Sequence, residues 1–155
     1  MVATSLPLPQ PSPESQLQRA ARAGEFLITA EVMPPKGSDV RHMVGMAAQL
    51  RGRVHAVNIT DGSRAVMRMS SLAAAAILHQ QGIEPICQMA CRDRNRIALQ
   101  ADLLGAQALG IRNILALTGD PVKAGDQAAA RSVFDLESGS EERRVGKECR
   151  SRWSP

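Results

Sequence analysis

An α/β fold with a parallel sheet is what this sequence predicts, and three observations carry that expectation. Four apolar, β-prone runs, at 26–32, 54–59, 84–90 and 113–118, alternate with segments of helical periodicity at 39–50, 70–80 and 95–109. The runs begin every 28 to 30 residues, the spacing of successive βα units. Gly82 and Gly110 each fall just past a helix and just before a strand, the usual C-terminal stop.

Taken in order, residues 1–13 are rich in Pro and Ser and read as extended or disordered. Ser12-Pro13-Glu14 has the form of an N-cap, a first-turn Pro and an early acid, so a short helix is expected over 13–23, ended by Gly24. The first strand closes on "ITAEVMPPKG": an apolar run that finishes in a carboxylate, Glu31, and is cut off by Pro34-Pro35. The last helix carries apolar or small residues at Ile97, Ala98, Ala101, Leu104, Ala108 and Leu109, which defines its expected buried stripe. The fourth strand runs into "LTGDP".

Two architectures accommodate four such units. A doubly wound dinucleotide-binding sheet wants G-x-G-x-x-G after the first strand, and "EVMPPKGSD" lacks it. A (βα)8 barrel instead requires chemistry at the C-terminal ends of several strands, on residues of one parity. Counting alternate residues groups Leu27, Thr29 and Glu31; Val54, Ala56, Asn58 and Thr60; Ile86, Gln88 and Ala90; and Ile114, Ala116 and Thr118, with Asp120 just beyond. Each set has a polar group at or near its downstream end. The opposite parity (Phe26, Ile28, Ala30, Val32; Val57, Ile59; Cys87, Met89; Leu115, Leu117) suits packing under helices. The fold expected is therefore the N-terminal half of a (βα)8 TIM-type barrel, about four parallel βα units, because a complete barrel takes about 250 residues.

Composition narrows the function. Aromatic content is 2%, with no Tyr, so the core is built from Ala, Leu, Ile, Val and Met. The net charge of +4 is uneven: five Lys/Arg and three Glu lie beyond residue 137, leaving 14 basic and 12 acidic residues before it. That balance does not suggest a nucleic-acid partner. No apolar run is long enough for a bilayer span and no secretory leader is apparent, so no membrane partner and a cytoplasmic location are expected. Three Cys argue against a disulfide framework.

Four stretches together resemble the methylenetetrahydrofolate reductase family: "ITAEVMPPKG", "AVNITDGSRAVMRMSSLAAA", "GIEPICQMACRDRNRIALQADLLGA" and "GIRNILALTGDPVKAGD". The resemblance runs over about 24–137. It implies a flavin-dependent (βα)8 barrel in which NAD(P)H reduces FAD, and 5,10-methylenetetrahydrofolate is then reduced to 5-methyltetrahydrofolate, a step of one-carbon metabolism. By the resemblance Glu31 is the general acid, contacting the folate substrate. Opening the folate ring to an electrophilic iminium needs a proton at the departing nitrogen, which a carboxyl in a poorly hydrated barrel mouth could deliver. The bland alternative is a strand-end Glu that caps the next helix or pairs with Lys36.

The resemblance also makes Thr118, Gly119 and Asp120 the flavin-binding loop, with Asp120 near flavin and pterin together; the alternative is a plain Gly-Asp-Pro turn. Thr60 and Gln88 match positions that contact nicotinamide or flavin. Gln88 stands where some relatives carry His, and Asp61 where some carry an aromatic residue, which puts a stacking contact there in doubt. A full-length barrel is open to homo-oligomerisation. A non-catalytic flavin- or folate-binding barrel subunit and a different phosphate-binding TIM-type enzyme are the competing interpretations.

Other features point to structure. Cys87 and Cys91 are spaced C-x-x-x-C without a His cluster to complete a metal site, so no metal is expected. The series Met43, Met46, Met67 and Met69 reads as packing. The charged "CRDRNR" reads as a phosphate contact or, equally, a solvated loop. Residues 138–155, ending "SEERRVGKECRSRWSP", show no apolar periodicity and resemble a translated sequencing adapter. The expected division is an N-terminal extension and short helix over 1–23, a partial barrel over 24–137 and a non-native tail over 138–155. The half-barrel by itself is expected to be unstable and inactive, with an open sheet edge and exposed apolar surface.

Overall fold

A computed structural model of the chain describes residues 14–127 and 129–139. The readings of residues 1–13 and of the tail beyond 139, with Cys149 and Trp153, lie outside the described residues. Strands β1 (Thr29–Val32), β2 (Ala56–Ile59), β3 (Pro85–Ala90) and β4 (Asn113–Leu117) form one parallel sheet in the order β1-β2-β3-β4. Helix α1 (Gln16–Arg22) precedes β1, and α2 (Arg41–Leu50), α3 (Ser71–Gln80) and α4 (Arg96–Ala108) connect successive strands. Because parallel crossovers are right-handed, a strictly sequential order lays all three connecting helices on the same face. A doubly wound sheet would reverse its order. The architecture is that of a partial TIM-type barrel, as the sequence predicts.

The core lies between that face and the helices. Val32, Val57, Ile59 and Cys87 point into it from the strands, and Met43, Ala47, Ala74, Ala75 and Leu78 meet them from α2 and α3. Small Ala side chains let the helices approach closely, so a nearly aromatic-free composition still yields a packed layer. Local signals start the helices where the sequence places them. Ser70 accepts from the Ala73 N–H at 3.2 Å, and Asn95 accepts from the Ala98 N–H at 2.9 Å. At the bottom of the sheet the Glu84 carboxylate accepts from the Gln16 and Leu17 N–H groups and from Asn113, which pins α1 to β3 and β4. A cleft of about 300 Å³ lies there, among Ser15, His79, Glu84 and Arg112.

Four expectations need correction. Helix α1 is capped by Ser15, whose hydroxyl accepts from the Gln18 N–H at 3.0 Å, rather than starting at Pro13. Strand β1 begins at Thr29, not 26: the Ile28 N–H donates to the His55 ring instead of to a neighbouring strand, and Phe26 is 87% exposed instead of lying under a helix. Helix α4 buries Leu99 and Ala106 with Leu103 half-buried, whereas Ile97 is 76% exposed and Leu104 also faces water. Both stripes are apolar, so periodicity alone cannot choose between them; Asp102, on the side of Leu99 and Ala106, reaches Arg94 at 2.8 Å and fixes the rotation. The fourth correction, the parity of β4, belongs to the site.

Candidate active site

The loops that leave the C-terminal ends of the strands are tied to one another. Pro34 and Pro35, after β1, offer their carbonyls to Arg68 Nη1 and the Met69 N–H, both at 2.9 Å. Asp126, beyond β4, accepts from Lys36 Nζ at 3.2 Å and from the Met67 N–H at 2.9 Å, joining three loops through one carboxylate. A Cβ on Gly125 would stand 1.8 Å from the Ala65 carbonyl oxygen, so the loops after β2 and β4 touch backbone to backbone. Arg64 and Ala65 hold φ values of 56°, a strained conformation for residues with side chains.

Pairing register decides which residues share the face away from the helices. Glu31 pairs with Asn58, Asn58 with Ile86, and Gln88 with Leu115. The expected inward parity therefore holds for β1, β2 and β3. It fails for β4, where Leu115 and Leu117 lie beside Gln88 and Ala90, and Ile114 joins the helix-side core. The run "NILALT" is apolar at four consecutive positions, so alternation gives no phase; only the register with β3 supplies it.

Glu31 is exposed on that open face. Neither bland role is filled: Lys36 pairs with Asp126, and α2 has Val40 at its N-cap with no side-chain cap bond. Thr60, one residue past β2, is 2% exposed, and its Oγ1 is buried without a hydrogen-bond partner among the described residues. Gln88 is 8% exposed on the same face; its backbone carbonyl accepts from Ser71 Oγ at 2.5 Å, and its side-chain amide makes no hydrogen bond among the described residues. Thr118 is turned differently: its hydroxyl lies 2.9 Å from Ser138 Oγ. Gly119 adopts a φ of +93° and is packed so closely that a Cβ would meet Arg92 Cβ at 2.9 Å. Asp120 swings back over β3, and its Oδ2 accepts from the Arg64 N–H of the β2 loop at 2.6 Å.

Two arginines of "CRDRNR" are neither solvated nor open to a phosphate. Arg92 is 4% exposed; its Nε and Nη2 reach Asp93, and its Nη1 reaches the carbonyls of Gly62 and Asp120. Arg94 pairs with Asp61 at 2.5 Å as well as with Asp102. Asp61 also accepts from the Ala90 N–H at 2.8 Å, so the residue that stands where relatives carry an aromatic is a structural carboxylate. Sequence reasoning missed both roles. A charged run gives no sign of which members are buried.

Cys87 is buried in the core, and loss of hydration pushes its thiol above the ordinary range. Met43 is buried, Met69 is packed against the core, and Met46 and Met67 are exposed. Among the described residues no helix is long and apolar enough to cross a membrane.

A singly wound parallel sheet with helices on one face, carrying an acid, a buried hydroxyl and a buried amide on the other, defines the class as the TIM-type barrel architecture. The family model for methylenetetrahydrofolate reductase matches residues 16–139, about four-fifths of the chain. The chain belongs to the methylenetetrahydrofolate reductase family, whose members are TIM-type barrel oxidoreductases. Among curated proteins no match is found.

Proposed function

We propose that this chain forms the acid-bearing half of the site of a flavin-dependent reductase that converts 5,10-methylenetetrahydrofolate to 5-methyltetrahydrofolate with NAD(P)H. The observation that carries the proposal is Glu31: an exposed carboxylate on the inner face, relieved of Lys36 and of any capping duty, on the strand next to a buried, unpartnered Thr60 hydroxyl.

The residues present fit FAD. An orphaned buried hydroxyl at Thr60 and a buried Gln88 amide facing the open side want polar partners that a ring of carbonyl and imino groups provides. When bound, FAD supplies hydride transfer between the nicotinamide and the one-carbon unit. In this assignment Thr60 and Gln88 orient the cofactor, Thr118 and Gly119 line its approach, and Asp120 presents charge and acceptors to cofactor and folate. Glu31 holds the proton that goes to the departing folate nitrogen, so the ring opens to the electrophilic iminium before hydride is accepted.

Turnover draws on rim groups from strands beyond the four described, since a barrel closes with eight. The 155-residue chain alone is therefore expected to be colourless as purified and inactive with NAD(P)H and a quinone acceptor. A chain that is yellow as purified, or that turns over NAD(P)H, would overturn that expectation. Added FAD should nevertheless be quenched by the chain, and Thr60→Val with Gln88→Ala should raise the Kd read from that quenching about tenfold or more, which corresponds to about 1.4 kcal/mol. Quenching that ignores both substitutions would remove the cofactor assignment.

A further inference from the structure

We propose that Arg92 is the positioning residue of the rim: a buried guanidinium on the β3 loop that gathers the β2 and β4 loops and so sets where the Asp120 carboxylate stands. The contacts run in every direction from one residue. Its Nη1 lies 3.3 Å from the Gly62 carbonyl and 3.2 Å from the Asp120 carbonyl, bridging two loops. Its backbone N–H donates to the Thr118 carbonyl at 3.0 Å, and its own carbonyl accepts from the Val133 N–H at 2.7 Å. Asp93 holds the other edge of the guanidinium with bonds of 2.8 and 2.6 Å, so its plane is fixed while Nη1 points across the loops.

Two glycines register this arrangement independently. A Cβ at Gly62 would lie 2.6 Å from Arg92 Nη2, and a Cβ at Gly119 would lie 2.9 Å from Arg92 Cβ. They belong to different loops, on opposite sides of β3, and each is bare where the same arginine passes. With Gly62 and Asp120 drawn together, the Arg64 N–H meets Asp120 Oδ2 at 2.6 Å. The acid is thus aimed by Arg92 without being touched by its charged head. A planar, forked donor is needed to reach two carbonyls while staying locked to a carboxylate; a Lys ammonium lacks that fork.

This inference rests on the proposed function only for what Asp120 does once placed. Its test is the amide proton of Arg64, which a short bond to an ionised carboxylate shifts far downfield. In NMR spectra of the full 155-residue chain that signature is expected in the wild type, lost in Arg92→Gln, and weakened in Arg92→Lys. Strand amides of Val57 and Ile59 should keep their positions. Because Arg92→Gln can lower overall stability, Gly62→Ala provides a second route: its methyl displaces the guanidinium, and the Gly119 and Asp120 amides should shift with it. In Arg92→Ala, the effect of adding Gly62→Ala on those two amides should fall at least threefold.

An unchanged Arg64 signature in folded Arg92→Gln, or an equal Gly62→Ala effect with and without Arg92, would overturn the positioning role. A wild-type chain that shows the signature yet leaves added FAD unquenched would remove the flavin assignment and leave the role of Arg92 standing.

Discussion

At the scale of single residues, the rim is held by side chains that the local sequence marks as ordinary surface. Asp126 is the plainest case: the Met67 N–H, and after it Lys36, hold its carboxyl below the usual carboxylate range. A depressed folded value means that the link is complete above the ordinary carboxylate pKa and is lost as pH falls through the folded one, that is, below about pH 4. The Met67 amide should therefore move upfield on acidification and lose protection relative to its intrinsic exchange rate at each pH. Asp126→Asn should show the same Met67 change at neutral pH, and an amide indifferent to both would sever the carboxylate from the loop. The group is fully exposed, so its effect belongs to loop order and not to global stability.

At the scale of the element, α4 shows how a helix chooses a face when its sequence offers two. Ile97, Leu104 and Leu109 form one apolar set, and Leu99, Leu103 and Ala106 another. The second is taken because Asn95 caps the helix and Asp102 is drawn to Arg94, which is itself committed to Asp61. Leu99→Ala should cost about 2–5 kcal/mol by cavity formation. Ile97→Glu should stay within about 0.5 kcal/mol, as surface changes do. Denaturant midpoints at unchanged slope would measure both, and a larger loss for Ile97→Glu than for Leu99→Ala would mean that the helix sits the other way round.

At the scale of the whole molecule, a four-stranded sheet carries its stability in its middle. Strands β2 and β3 are hydrogen-bonded on both sides, whereas β1 and β4 each have one partner strand among the described residues. Hydrogen exchange should accordingly be slowest at Val57, Ile59, Cys87 and Met89, and faster at Ala30 and Ile114. A β4 protected as strongly as β3 would indicate that its outer edge is covered in solution. The exposed inner face fits the same picture, with Leu115 facing water beside the half-sheltered Leu117. That face is where a barrel would place its interior layers, and it is also where Glu31 stands.

By itself the sequence determined the number, type and order of the elements. Helical and strand periods, Ser and Asn caps, and glycine stops are local properties, readable within a few residues of where they act. It also singled out Glu31, Thr60 and Gln88 as members of one face, because each is a polar group at or near the downstream end of its strand's alternate-residue set. The phase of β4, the buried side of α4, the burial of Arg92 and the pairing of Arg94 were decided only by tertiary structure. In each of those places the sequence is degenerate (four apolar residues running, two apolar stripes, alternating charges), and a degenerate pattern is resolved by whichever neighbour it packs against. Those neighbours lie on other βα units, so no local reading could contain them.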